Sequence, residues 1–566
     1  MRPSLSTPLV TAALIGLGCA LAAGARAEDH GERELTEALR HKVDTIVVIY
    51  AENRAFDNVY GHFPGARGLD EVVDRHGNPR PSYKPQVDRD GTTVLATLPQ
   101  TWGGVTAAGW TPVVTQAQSA GLPNAPFSVE TAFTPASGVE LATGTVTRDL
   151  YHRFFENQMQ INGGRNDSFA AWADAGGLTM GHYDNSGSQL YALARKYTLA
   201  DNFFAGAFGG SFLNHQYLIC ACAPTYPNAN APPTGAKPTI TVLDTDSSGA
   251  FLPRLSTKPT SPASALDGPP AYVLSGNIAP LNYFGDNQYY AVNTMQPPYQ
   301  PSGNAPADAT GNDLLHANPS AATTLPPQTQ TNIGDLLNAA GVSWTWYAGA
   351  WNAATADGEQ LGSVARTVIY TPSTPRGSPD YQAHHAPFNY FANLDPVTNA
   401  ADRAKHLKDY TDLVADAAAG TLPAVAFYKP QGNLNQHEGY ANLDDGDAHI
   451  AGLIAALEKS PQWPHMVVVV TYDEFGGVWD HVAPPQGDLL GPGTRIPALV
   501  ISKYAKRGFV DHTQYDTASV LRLISRRFDL PLLPGLVARD AALRAHHERP
   551  MGDLTHALEL RDRDHD

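Results

Sequence analysis

Residues 45–61 read TIVVIYAENRAFDNVYG. Ile46–Tyr50 is an unbroken run of β-favouring residues without polar alternation, the pattern of a strand buried on both faces of a parallel sheet. Glu52 and Asn53 stand directly behind it, and Arg54 and Asp57 follow. Open α/β sheets hold ligands at the C-terminal ends of their strands, so the stretch marks a candidate site as well as an element. A capped strand-to-loop turn would carry similar residues. The stretch HMVVVVTYDEFGGVWDHVAPP, His465–Pro485, repeats the design: four valines, then Asp473 and Glu474, Gly476 and Gly477, Asp480 and His481. In a parallel sheet both strand ends fall on one edge, which brings Glu52, Asn53, Asp473 and Glu474 together. Three carboxylates packed side by side repel unless they are protonated or bound to a cation. Carboxylate and amide oxygens suit a hard divalent ion such as Ca²⁺, Mg²⁺ or Mn²⁺. The competing reading is two unrelated surface turns.

Further strands are expected at Trp344–Ala348, Ala424–Tyr428 and Pro497–Ser502, beside Thr45–Tyr50 and Met466–Tyr472. Helical spacing of apolar residues predicts helices over Gln189–Thr198, Ile333–Ala340, Ala448–Lys459 and Thr517–Phe528. The alternation implies an α/β fold with a mainly parallel sheet flanked by helices. Residues 62–140 and 223–326 are rich in Gly, Pro, Asn and Ser or Thr and read as loop-rich insertions in a single domain over 28–539. Residues 540–566, ending ELRDRDHD, read as a charged, mobile tail.

Residues 1–27 have the form of a signal peptide: Arg2, an apolar core, and Ala25-Arg26-Ala27 before the cleavage point. The core is short and broken by glycines, so stable membrane insertion is not expected, and a periplasmic or secreted location is. Removing Arg2 and Arg26 takes the formal charge from −17 to −19. So acidic a chain is a poor nucleic-acid partner. The mature chain keeps Cys220 and Cys222, read as buried thiols rather than a local disulfide, and too few for a cysteine-ligated zinc.

TLADNFFAGAFGGSFLNHQYLICA, Thr198–Ala221, places Ser211 after Gly209 and Gly210 at the start of a helical pattern, with Asn214 and His215 a turn later. A serine at such a junction is a candidate nucleophile, with helix N-terminal amides to receive an anion. It is also what an ordinary N-cap looks like. Histidines are grouped: His152 in RDLYHRFFENQMQINGG, His384 and His385 in YQAHHAPFNYF, His437 in KPQGNLNQHEGY. Imidazolium groups beside a metal centre would bind phosphate oxygens and protonate a leaving group, which favours activity at acid pH.

ENRAFDNVYG, ADNFFAGAFGGSFLNHQYL, HHAPFNYF, KPQGNLNQHEGY and TYDEFGGVWDHVAPP, in that order, resemble the bacterial phosphoesterase family of secreted phospholipases C and respiratory-burst-inhibiting acid phosphatases. The resemblance spans most of 44–222 and 327–530 and implies an alkaline-phosphatase-like core. It implies one divalent metal, with Zn or Fe also possible, held by Glu52, Asn53, Asp473 and Glu474 and touched by the nucleophile Ser211. It places His152, His385 and His437 on the substrate side, with His384 and Asn214 as neighbours. Ala55, Asn58 and Ser211 stand where the phospholipase branch usually has ENRSFDHYFG and threonine, and no paired arginines precede the apolar core. The chain is therefore closer to the acid phosphatase branch, expected to hydrolyse small phosphate monoesters through a phosphoserine. The alternatives are a phospholipase C meeting a lipid surface, with Trp102, Trp110 and Phe127 as an apolar rim, and an inactive exported protein that binds phosphate ligands.

Overall fold

The computed structural model describes residues 30–226, 262–270, 288–308, 310–371 and 379–561, with short backbone pieces at 244–245, 251–252, 256–257 and 272–273. Residues 1–29, where the signal peptide is expected, and residues 562–566 lie outside the described residues.

The elements that position the site are, in chain order, β1 (Thr45–Ala51), α1 (Phe154–Ile161), α2 (Gln189–Lys196), β2 (Thr198–Phe204) and α3 (Ser211–Cys220). Then come α4 (Ile333–Ala339), β3 (Trp344–Ala348), β4 (Leu407–Asp409), β5 (Val425–Lys429), α5 (Leu443–Leu457), β6 (Met466–Tyr472) and β7 (Arg495–Ser502). Last are β8 (Phe509–Asp511), β9 (Tyr515–Asp516), α6 (Ala518–Phe528) and α7 (Pro534–Ala545). The strands form one mixed, mostly parallel sheet in the order β4-β3-β5-β1-β6-β7-β2-β8, with β9 beside β2. β1 lies parallel between β5 and β6, in the register Ile49↔Tyr428 and Ala51↔Tyr472. β7 runs antiparallel to both β6 and β2, so β2 points the same way as β6. Every residue of β1 and β6 is buried, which is why their valines and isoleucines show no alternation.

Helices flank the sheet, with α5 packed on α2 and α6 on α3. The expected strands Trp344–Ala348 and Met466–Tyr472 form with those limits. The helix expected over Gln189–Thr198 ends at Lys196, and Thr198 instead opens β2. The helix expected from Ala448 begins five residues earlier, where Asn442 caps it by accepting from the Asp445 amide.

Two expectations are corrected. Cys220 and Cys222 are joined in a disulfide: α3 ends at Cys220, and Ala221, at φ 48°, turns the chain back until the two Cα atoms are 5.1 Å apart. Residues 540–561 do not trail away. α7 runs through Ala545, and Met551, Leu554, Ala557, Leu558 and Leu560 are buried against the core.

Candidate active site

Glu52 and Asn53 follow β1 directly, and Asp473 and Glu474 follow the neighbouring parallel β6, so the four meet side by side and are fully buried. Asn53 takes a left-handed φ of 58°, which asparagine tolerates, and its amide donates to Asp473 Oδ1 at 3.0 Å. Gly476, at φ +65°, lets the second strand's loop pass: a Cβ there would lie 2.4 Å from the Asn53 carbonyl oxygen. Lys429 ends β5 on the same edge, and its buried ammonium donates to Glu52 Oε2 and to the Ala51 carbonyl.

Ser211 arrives from a third strand pointing the same way. The loop after β2 reaches Gly209, at φ +82°, and Gly210, which caps α3 with no side-chain bond. A Cβ on Gly209 would stand 2.3 Å from the Phe154 amide nitrogen, so the backbone that follows His152 runs hard against the Ser211 loop. Ser211 Oγ lies 3.3 Å from Glu474 Oε1 and 3.4 Å from Asn53 Oδ1. The Asn214 carboxamide is consumed by that loop: it accepts from the Ala207 amide and donates to the Ala207, Gly209 and Gly210 carbonyls. It therefore shapes the loop and does not face a phosphate, which corrects the expectation for this residue.

A cavity of about 360 Å³ opens in front of Ser211, walled by Asp149, His152, Arg153, His384, His437 and Tyr440 among others. His152 Nδ1 lies 2.6 Å from the Leu150 carbonyl, and His437 Nδ1 meets the Glu438 carbonyl. A carbonyl only accepts, so both rings carry their proton on Nδ1 and keep the Nε2 lone pair. His152 Nε2 is 3.7 Å from Glu474 Oε1. His384 Nδ1 pairs with the Tyr370 hydroxyl at 2.7 Å, and Gln296, from the second insertion, donates to the same hydroxyl. His385 does not wall the cavity. Its Nε2 faces Glu52 Oε1 at 2.8 Å, and its ring stacks on His215 with centroids 4.7 Å apart. Trp102, Trp110 and Phe127 are absent from the wall as well.

Burial dominates the electrostatics. It pushes the His152 imidazole down, His437 and His385 well down, and His384 down to about 3, the last also opposed by the Lys429 ammonium. Burial thus works against the imidazolium form of each of these rings. Burial, then the neighbouring Glu52 charge, pushes Asp473 up to about 7. Burial, then Asp473, pushes Glu474 well up. Asp473 Oδ2 and Glu52 Oε1 are buried and accept no hydrogen bond. Crowded carboxylates with unsatisfied oxygens are the donor set a divalent cation fits.

Lys429, His215, Arg153 and Tyr440 had no role assigned from the sequence. Lys429 had a readable signal, a lysine closing a buried strand on the ligand-bearing edge. His215 had none, since its meaning depends on which ring nitrogen is free.

The phosphoesterase family model matches residues 43–531, and the chain belongs to that family. Phospholipase C B of Mycobacterium tuberculosis is 24% identical over 547 residues, covering 91% of this chain and 77% of that protein. Non-hemolytic phospholipase C of Burkholderia pseudomallei is 29% identical over 177 residues, 25% of each chain. Among solved structures, an alkaline phosphatase superfamily protein from Vibrio parahaemolyticus aligns at a TM-score of 0.21 and 14% identity, covering 38% of this chain and 50% of that one, a likeness too slight to argue from. The protein is a phosphoric ester hydrolase, and no helix among the described residues is long and apolar enough to cross a membrane.

Proposed function

We propose that the protein is a metal-dependent acid phosphatase that hydrolyses phosphate monoesters through a phosphoserine on Ser211. One observation carries the reading: Ser211 stands at the uncapped N-terminus of α3, facing the cavity, with Oγ against Asn53 Oδ1 and Glu474 Oε1. A divalent cation held by Glu52, Asn53, Asp473 and Glu474 would supply Lewis-acid stabilisation of the serine oxygen and of charge on the phosphoryl group. Ser211 Oγ attacks phosphorus in line, and its proton leaves through the contact to Glu474 Oε1. The first amides of α3 and Arg153 in the wall favour the phosphoryl oxygens.

The leaving oxygen needs a proton, and burial works against any of the cavity histidines holding one in advance. A phosphate monoester carries one below its second pKa of about 6. The His437 Nε2 lone pair takes that proton from the bound monoanion and returns it to the departing alcohol as the ester bond breaks. Water then hydrolyses the phosphoserine. The acid preference therefore rests on the substrate's proton, and a diester has none to give.

A phospholipase C is the second reading, favoured by the names of the relatives. In the wall, Leu150, Phe212 and Val292 are the aliphatic or phenyl side chains, a small apolar surface for acyl chains. The deciding experiment compares p-nitrophenyl phosphate with p-nitrophenylphosphorylcholine at about pH 5–6, with and without added divalent metal. Preference for the monoester is expected. Preference for the diester would overturn the phosphatase reading in favour of the lipase, and turnover of neither would leave a binding protein.

A further inference from the structure

His384 stands in the cavity wall with its Nδ1 2.7 Å from the Tyr370 hydroxyl. A hydroxyl has one hydrogen and two lone pairs, so the polarity of that contact depends on what else the oxygen binds. It accepts twice, from Gln296 Nε2 at 3.1 Å and from the His384 backbone amide at 3.3 Å. The Gln296 carboxamide is oriented separately: its Oε1 accepts from the Gly303 amide at 2.9 Å, which turns Nε2 toward Tyr370. With both lone pairs engaged, only the phenol hydrogen remains. The nearer of its two acceptors is His384 Nδ1 at 2.7 Å, against Gln296 Oε1 at 3.4 Å. Nδ1 therefore accepts, and the ring proton of His384 sits on Nε2.

That is the opposite tautomer from His152 and His437, whose Nδ1–H groups donate to backbone carbonyls and leave lone pairs on Nε2. The surroundings hold Tyr370 in place. Its φ of 52° is left-handed, uncommon for so bulky a residue. Such a conformation persists only where neighbours over-determine it, and it concentrates at functional sites. The Tyr370 amide donates to the Tyr381 carbonyl at 2.9 Å, and the amides of Thr367, Val368 and Ile369 just before it all donate to the Asp357 carboxylate. A Cβ on Gly303 would stand 2.6 Å from Gln296 Oε1 and 2.7 Å from the Tyr370 ring, so a glycine is what lets the second insertion close over the pair.

We infer that Tyr370, oriented by Gln296, is a positioning residue that fixes His384 as an Nε2–H donor to a phosphoryl oxygen bound in the cavity. A phosphate monoanion presents one hydroxyl and further oxygens that only accept. The lone pairs of His152 and His437 suit the hydroxyl, and an N–H suits the other oxygens. In the other tautomer His384 would turn a lone pair toward an oxyanion and repel it. Burial works against the imidazolium form, which would offer a donor from either nitrogen. The inference rests on the phosphoryl chemistry proposed at Ser211 and adds to it the group that sets one ring's proton.

The first test reads the tautomer by nitrogen NMR of the full chain carrying isotope-labelled histidine, with the His384 signals assigned by their absence from His384→Gln. An unprotonated Nδ1 and a protonated Nε2 are expected in the wild type, and a mixed or reversed pattern in Tyr370→Phe. A wild-type His384 protonated on Nδ1 overturns the inference, and this spectrum decides alone if Tyr370→Phe does not fold. The second test is kinetic. Tyr370→Phe should lower kcat/KM for p-nitrophenyl phosphate about 10-fold, through loss of a fixed donor to the phosphoryl group. His384→Gln places an amide donor near the Nε2 position and has no tautomers, so in that background Tyr370→Phe should cost less than about twofold. An equal loss in both backgrounds would reduce Tyr370 to a structural prop and overturn the positioning role. Full monoester turnover with wild-type His384 protonated on Nδ1 would sink the inference and spare the phosphatase, whereas the expected tautomer with no monoester turnover would do the reverse.

Discussion

Glu156 lies in α1, the helix that begins just beyond His152, and is fully buried with neither carboxylate oxygen hydrogen-bonded. Burial pushes its carboxyl from the ordinary 4.5 up to about 7. The folded state thus prefers the neutral acid, while the unfolded chain ionises from 4.5 upward. Stability is full below the unfolded value and is lost as pH rises through the folded one. At about 1.4 kcal/mol per pH unit, the gap is worth about 3 kcal/mol at pH 8 and about 1 kcal/mol at pH 5. Glu156→Gln has the same shape and no charge, so the variant-minus-wild-type stability should improve by about 2.5 kcal/mol from pH 5 to pH 8. For a chain of 566 residues that is a relative gain in Tm of about 2 °C, readable by scanning calorimetry at the two pH values with metal content held fixed. The Gln carboxamide keeps its own unsatisfied groups, but that cost does not vary with pH. A Tm difference that is flat with pH would mean the carboxyl is solvated or paired in solution, and would refute the reasoning.

Ser211→Ala should lower turnover by about 10³-fold or more while leaving Tm nearly unchanged, because only a small hydroxyl is lost; a residual rate of several per cent would remove it as nucleophile. Gly209→Ala adds a methyl 2.3 Å from the Phe154 nitrogen at a φ of +82°, so the loop must shift and carry Ser211 with it. That variant should lose at least about 10-fold in kcat/KM, since misplacement of reacting atoms by an ångström is costly, and wild-type kinetics would show the loop to be slack. With p-nitrophenyl phosphate, kcat/KM should fall about tenfold per pH unit above pH 6, following loss of the monoanion. A phenyl phosphorothioate with a lower second pKa should move the break downward, and a break that stays put would assign it to the protein.

The two valine-rich strands were legible because burial on both faces leaves no alternation to misread, and their neighbour pairing then fixes where Glu52, Asn53, Asp473 and Glu474 meet. β2 was not legible. Asp201 and Asn202 interrupt its apolar run, and the buried Asp201 is tolerated because the Arg67 amide and His512 bond it, partners far away in the chain. The strand expected at Pro497–Ser502 forms as β7, but nothing in periodicity states strand direction, so its antiparallel sense was hidden. Ser211 was found through its glycines. Asn214 and His385 were placed on the substrate side through the family resemblance, and geometry turns both away: one carboxamide is spent on a loop, and one ring faces a carboxylate behind the cavity.

That division has a consequence for specificity. The groups proposed to meet phosphorus hang from strand ends whose spacing the sheet dictates. The groups that would meet the alcohol side of an ester do not. Val292, Asn293 and Thr294 reach the cavity wall from the second insertion, and Asn293 Oδ1 accepts from the Phe154 amide at the start of α1. Gln296 from the same segment holds Tyr370, which in turn holds His384. An irregular stretch with no periodicity thus sets both the far wall and the posture of one cavity histidine. Exchanging residues 292–296 should move preference among esters through KM while the Ser211 chemistry, carried by the sheet edge, persists.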